Sequence, residues 1–224
     1  MSKNALYKMR DLLGLLIFPI LGLLYEYLNE YQQEAVNIST AFDSIIPFTP
    51  VFILPYVIWY LYMFGFLIYF WWKSPDVYWK TIIAITIGEL VCFIIYFFFQ
   101  TTVPRPQITG DTILLQLVSV IYNTDEPFNC FPSIHVLTTM IIMLASTHIK
   151  GTGKFQSYIT QMTGILIILS TLFVKQHVIY DVVASVVLSA GLWVVVFYLR
   201  PLVLKLKINT NRNKKSSLSK DVSF

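Results

Sequence analysis

Residues 44–72 run for 29 positions without one charged side chain. A helix needs about 20 predominantly apolar residues to cross a bilayer core, so this run is long enough to cross and tilt. Two further runs, 12–25 and 155–174, are also free of charge. The chain is 56% hydrophobic and 12% charged, against roughly 45–50% and about 25% in ordinary soluble domains. That leaves too little polar surface to cover a water-facing globule. The reading is an all-α integral membrane bundle, and no nucleic-acid partner is expected.

Six apolar segments emerge, at 11–28, 48–72, 79–100, 132–149, 156–174 and 177–199. Pro55 predicts a kink in the second. Aromatic residues crowd the segment ends, as at Tyr69-Phe70-Trp71-Trp72, in the manner of interfacial belts. Lys3, Lys8 and Arg10 precede the first segment as in a secretory leader, but Glu26-Tyr27-Leu28-Asn29 follows with no small-residue cleavage site. A retained first helix is expected. Cys92 lies in an apolar segment and Cys130 in a loop, which predicts buried thiols rather than a disulfide.

With six crossings, Lys3, Lys8, Arg10, Lys73, Lys80, Lys150, Lys154 and the basic tail 201–224 fall on one side. The positive-inside bias makes that side cytoplasmic and puts both termini there. The opposite side holds Glu30, Glu34, Asp43, Asp111, Asp125 and Glu126, with Arg105 and Lys175 as its cations. Two cations against the bias point to a site at the extracytoplasmic face.

Three polar stretches meet there: Val103-Pro104-Arg105-Pro106, Cys130-Phe131-Pro132-Ser133-Ile134-His135, and Lys175-Gln176-His177-Val178-Ile179-Tyr180-Asp181. His177 and Asp181 are four apart and share a helical face. The carboxylate can fix one imidazole nitrogen and leave the other free as nucleophile or base. His135 starts a helix after a Pro-Ser pair, where unpaired N–H groups favour anions. Ser133 adds a hydroxyl donor. Arg105, flanked by prolines, offers a forked donor for phosphate oxygens. Glu89, in the middle of the third segment, reads as a structural carboxyl away from this face. His148 reads as interfacial. Residues 111–123 read as a short interfacial helix capped by Asp111, serving as a lipid-entrance lid or a plain connector.

Taken together, these stretches resemble the type 2 phosphatidic acid phosphatase superfamily, over roughly residues 90–190. The family pattern is Lys-x6-Arg-Pro, then Pro-Ser-x-His, then Ser-Arg-x5-His-x3-Asp. Arg105-Pro106 matches the end of the first, Pro132-Ser133-Ile134-His135 the second, and Ser170, His177 and Asp181 the third. Phe98 and Thr171 stand where the pattern has lysine and arginine. Such departures resemble the inositol-phosphorylceramide and sphingomyelin synthase-like members, which transfer a phospho-head group.

The resemblance implies a membrane-embedded lipid phosphate phosphatase, with 1–200 as one transmembrane catalytic domain and 201–224 as a cytoplasmic tail. His177 would attack phosphorus and form a phosphohistidine, oriented by Asp181. His135 would protonate the leaving oxygen and then activate water or an acceptor alcohol. Arg105, Ser133 and Lys175 would bind the phosphate, Lys175 replacing a missing cation, with Gln100 and Gln176 as further neutral donors. No metal or other cofactor is implied, and the partners would be a lipid-linked phosphate and the cell-membrane bilayer. Head-group phosphotransfer is the alternative activity. A non-catalytic transporter or scaffold is the alternative outside enzymes, although a transporter would more readily show repeats or broken helices at the midplane.

Overall fold

The computed structural model describes residues 9–30 and 34–200. The basic tail 201–224, with Lys3 and Lys8, lies outside the described residues. Helix α1 (Ile17–Glu30) continues from a 3-10 turn at Leu12–Leu16. The short α2 (Ala41–Ile45) and a 3-10 turn at Pro50–Phe52 lead into α3 (Ile53–Lys73) and α4 (Pro75–Phe98). After these come α5 (Ile113–Thr124), α6 (Ile134–Ser146), α7 (Lys154–Phe173) and α8 (Ile179–Trp193), the last running on as a π-helical stretch, Val194–Leu199. A two-residue parallel pairing of Val36–Asn37 with Thr101–Thr102 is the one sheet among the described residues.

Local chemistry sets several boundaries. Ser74 alone separates α3 from α4: its amide donates to the Phe70 carbonyl and its hydroxyl accepts from the Val77 amide at 3.4 Å. Pro75 then occupies the first helical position, where a missing N–H costs nothing. Pro55 falls in the first turn of α3, just after the 3-10 turn Pro50–Phe52 that opens this helical stretch. Thr112, not Asp111, caps α5, accepting from the Leu115 amide at 3.4 Å.

Five helical stretches are long and apolar enough to cross a membrane: Met9–Glu30, Pro50–Lys73, Pro75–Phe98, Lys154–Phe173 and Ile179–Leu199. They fall within a few residues of five of the six expected segments. The sixth differs: α6 has 13 residues, about 20 Å at 1.5 Å per residue, short of a bilayer core of about 30 Å. It is the innermost helix, packed against α3, α4, α7 and α8, with Val136, Leu137, Ile141, Ile142 and Ala145 fully buried. Outward-facing Leu23, Leu61, Ile94 and Val187 are exposed, as the lipid-facing surface of a multi-pass membrane bundle would be.

Small residues bring the central helices together, as is common between membrane helices. Ser185 and Ser189 on α8 are fully buried and donate across to the carbonyls of Ser133 (2.9 Å) and Leu137 (3.1 Å) on the α6 side. On α4, a Cβ at Gly88 would stand 2.8 Å from Leu137 Cδ2 and 3.0 Å from Leu192 Cδ1. Interhelical side-chain hydrogen bonds in membranes average only about 0.6 kcal/mol each. The serines therefore contribute less through energy than by fixing the register in which the start of α6 meets the start of α8.

Candidate active site

The loop between α7 and α8 carries Lys175, Gln176 and His177. Its shape comes from backbone bonds: the Thr171 carbonyl accepts the amides of both Gln176 (3.0 Å) and His177 (3.1 Å). Lys175 takes a left-handed φ of +55° to make this turn, a conformation uncommon for a residue with a side chain. Val178 stands at the cap of α8 and has no polar side chain to satisfy the first amides. Two carboxylates do so instead. Asp181 Oδ2 accepts from the Val178 amide at 2.9 Å, and Asp43 Oδ1, from α2, accepts from the Ile179 amide at 2.8 Å.

The same Asp181 oxygen lies 3.1 Å from His177 Nδ1. With Asp181 accepting, Nδ1 carries the proton and Nε2 is left with its lone pair. Asp181 is fully buried and the His177 side chain is 9% exposed, so the pair is shielded from water while the ring keeps one accessible edge.

His135 sits in the first turn of α6. Ser133 caps that helix, its Oγ accepting from the Val136 amide at 3.3 Å, and the Tyr96 hydroxyl donates to the Pro132 carbonyl at 2.5 Å. The His135 ring lies between Tyr56 and Trp59 of α3, at centroid distances of 4.6 and 4.2 Å. The His135 and His177 rings are 6.0 Å apart, close enough for both to reach one small group between them.

Both histidines line a cavity of about 820 Å³ that also takes in Tyr25, Tyr56, Trp59, Phe93, Arg105, Asp125 and Gln176. Arg105 is held from three sides. Its Nη1 donates to the Tyr122 carbonyl (3.2 Å) and the Asp125 carbonyl (2.8 Å), its Nη2 donates to Gln176 Oε1, and its guanidinium stacks 4.5 Å from the Tyr122 ring centroid. The Tyr25 hydroxyl donates to Asp125 Oδ1 at 2.7 Å and ties α1 across the opening. Burial pushes the Asp125 carboxyl above its usual range, against the opposing pull of that hydroxyl, Arg105 and His177.

Four expectations change. Lys175 does not reach this cavity: its ammonium donates to the carbonyls of Asp43 (2.8 Å) and Ile46, beside a smaller pocket of about 380 Å³ behind His177. The short, left-handed turn aims it at α2, where it braces the loop. Ser133 is fully buried, and its hydroxyl oxygen serves the helix cap rather than the cavity wall. Gln100 is turned to Asn129 Oδ1, at 3.1 Å. Glu89, expected to lie apart, is on the wall of the same cavity, because the cavity descends between α1, α3 and α4 to its depth.

The two positions without cations are also explained locally. Phe98 is 78% exposed on the outside of α4, and Thr171 is fully buried with its hydroxyl donating to the Ile168 carbonyl at 2.8 Å. Among the described residues, Arg105 is the one lysine or arginine lining the cavity. No group of three or more His, Cys, Asp or Glu is placed to hold a metal ion among the described residues. Cys92 and Cys130 are buried free thiols. His148 packs against Trp193, Phe197 and Tyr198, away from this site.

Tyr56, Trp59, Asp43 and Tyr25 escape a sequence reading. Tyr56 and Trp59 are two of many aromatics in an apolar run. Asp43 caps a helix 136 residues away, and no local pattern reveals such a partner.

Comparison with known families finds that residues 77–204 match the PAP2 superfamily. The chain belongs to that superfamily, whose members are typically phosphatases. The match is to the superfamily and not to a branch within it. No match was found among curated proteins or among solved structures.

The Asp43 contact gives a pH dependence with a definite sign. Burial raises its pKa, but the Ile179 amide, the Thr40 amide and hydroxyl and the nearby Lys175 ammonium together lower it below its usual value. A carboxyl with a depressed folded pKa stabilises the fold above its unfolded pKa of about 3.9, and that increment is lost as pH falls through the lower, folded value. Thermal unfolding of the wild type and Asp43→Asn in detergent should show a gap in Tm at pH 6–7 that narrows steadily toward pH 3. A gap independent of pH would show that the carboxylate charge contributes nothing.

Proposed function

We propose that this chain is a membrane-embedded phosphatase that hydrolyses a phosphomonoester carried by a lipid. The observation that carries the proposal is the pairing of Asp181 with His177 Nδ1, opposite His135, at the head of a cavity that runs down between helices. In this reading His177 Nε2 attacks phosphorus, the bond to the lipid oxygen breaks, and His135 delivers a proton to that oxygen. Water then enters, His135 takes its proton, and its oxygen displaces Nε2 to release inorganic phosphate. Asp181 holds the imidazole in one tautomer and stabilises the charge that develops on it. Arg105 meets the phosphoryl oxygens. Lys175 supports the loop from behind. The apolar wall below, with Phe18, Leu21, Met63 and Phe64, suits an acyl or prenyl chain.

A second reading, head-group transfer to an acceptor alcohol, is favoured by one feature, the single lysine or arginine on the cavity wall among the described residues. A phosphodiester carries one charge at phosphorus where a monoester carries about two. The enzyme in detergent should release free phosphate from at least one of a panel of lipid phosphomonoesters. His177→Ala should abolish release, and Asp181→Asn should reduce it by roughly 10²-fold or more. A new phosphodiester formed only with added alcohol would establish transfer instead, and full activity in folded His177→Ala would remove the mechanism.

Loop charge supports a site at the extracytoplasmic face, with α6 as a short sixth crossing enclosed by longer helices and both termini cytoplasmic. Ser44 and Lys150 are both exposed, at opposite ends of the bundle in this topology. In a cysteine-free background, cysteine at 44 should react with a membrane-impermeant reagent in intact cells, and cysteine at 150 only after permeabilisation. The reverse pattern would invert the assignment.

A further inference from the structure

Buried polar atoms almost always find a partner, because one left without a partner has lost its hydration and gained nothing in return. Among the described residues, eight buried side-chain atoms have none. Thr86, Thr139, His148 and Trp193 supply four of them, and none of these residues lines the large cavity. The other four are Tyr56 Oη, Arg105 Nε, Gln176 Nε2 and Asp181 Oδ1. Three of those residues are on the wall beside the two histidines, and the fourth stands behind His177.

The three wall atoms share a chemistry: each is an N–H or O–H donor. They come from separate elements that meet only here. Tyr56 is on α3 with its ring 4.6 Å from that of His135, Gln176 immediately precedes His177, and Arg105 donates its Nη2 to Gln176 Oε1. That last bond fixes the Gln176 amide, because its oxygen is committed to Arg105 and its two N–H bonds remain. Tyr56 and Gln176 are 3% and 2% exposed, so bulk water does not satisfy them. Three unpaired donors among the buried atoms of this wall match a ligand rich in acceptors, which is what a phosphoryl group presents.

We propose that Tyr56 Oη and Gln176 Nε2, together with Arg105 Nε, bind the non-bridging phosphoryl oxygens of the substrate. This rests on the reading of the cavity as a phosphoryl-transfer site and adds to it the groups that act where Phe98 and Thr171 supply no cation. Two neutral donors compensate less charge than two cations, so the cradle fits a phosphoryl group of low charge, a singly ionised monoester or a diester.

The test uses the full chain in detergent and inorganic phosphate as the probe, with affinity read from phosphate-dependent thermal stabilisation. Tyr56→Phe deletes only the hydroxyl. Gln176→Glu keeps an oxygen for Arg105 and replaces the donor with an acceptor. Phosphate should stabilise the wild type, and each variant should weaken its affinity by about 5- to 10-fold or more, the loss of one neutral hydrogen bond. Without phosphate, Tyr56→Phe should be at least as stable as the wild type, since the hydroxyl has no partner to lose. Wild-type affinity in both variants, or no stabilisation of the wild type by phosphate, would overturn the cradle. Lowered stability of phosphate-free Tyr56→Phe would also overturn it, because the hydroxyl would then have a structural partner. Phosphate bound through these donors by a protein that cleaves no lipid phosphomonoester would leave the cradle standing and defeat the hydrolase reading.

Discussion

One residue, Asp181, joins the two halves of the site. Its Oδ2 accepts the Val178 amide and faces His177 Nδ1, while its carbonyl accepts the Ser185 hydroxyl at 2.7 Å and the Ser133 amide at 3.5 Å. The loop before α8 and the loop before α6 are thus referred to the same residue. Burial makes the arrangement stiff: a carboxylate taken out of water is tolerated only while its partners stay in place. The Ser185 and Ser189 contacts extend this register down the α6–α8 seam, and Gly88 lets α4 close on it. The distance between His135 and His177 is therefore a property of the bundle core and not of two independent loops.

The site is poor in cations for a place proposed to handle phosphate. Among the described residues, Arg105 is the one lysine or arginine on the wall, against Glu26, Glu30, Glu89, Asp125 and Glu126. In a low-dielectric cavity, donors that are already oriented stabilise developing charge without reorganising, so neutral groups can contribute where cations are missing. Lys175 shows the complementary economy. Its ammonium braces the His177 loop through two carbonyls of the α2 segment, and burial draws its pKa below the usual lysine value against the opposing Asp43 carboxylate. A cation that binds substrate and a cation that holds the loop have the same signature in a sequence.

Charge-free length made the long helices legible, because a bilayer demands about 20 apolar residues irrespective of packing. The same criterion gave α6 a longer segment than its helix, because the apolar run continues past its ends into loops at Pro132 and Thr147. The neighbourhood of Arg105, His135, His177 and Asp181 was legible from three short motifs in fixed order. The direction of individual side chains was not. Lys175 turns away because of a left-handed backbone, Ser133 spends its hydroxyl oxygen on a cap, and Glu89 opens on a cavity formed only when α1, α3 and α4 assemble. Asp43 and Tyr56 join the site through contacts 136 and 79 residues distant in sequence.

The account turns on a covalent step at one atom. Rapid acid-free quenching of the enzyme with a good-leaving-group phosphate ester, followed by peptide mass spectrometry, reads that step directly. The predicted result is an acid-labile, base-stable phosphoramidate on His177, accumulating further in His135→Ala, where water lacks its base, and absent from His177→Ala. Turnover in the wild type with no phosphate on His177 at any quench time, or phosphate on His135 instead, would contradict the assignment of His177 as the nucleophile.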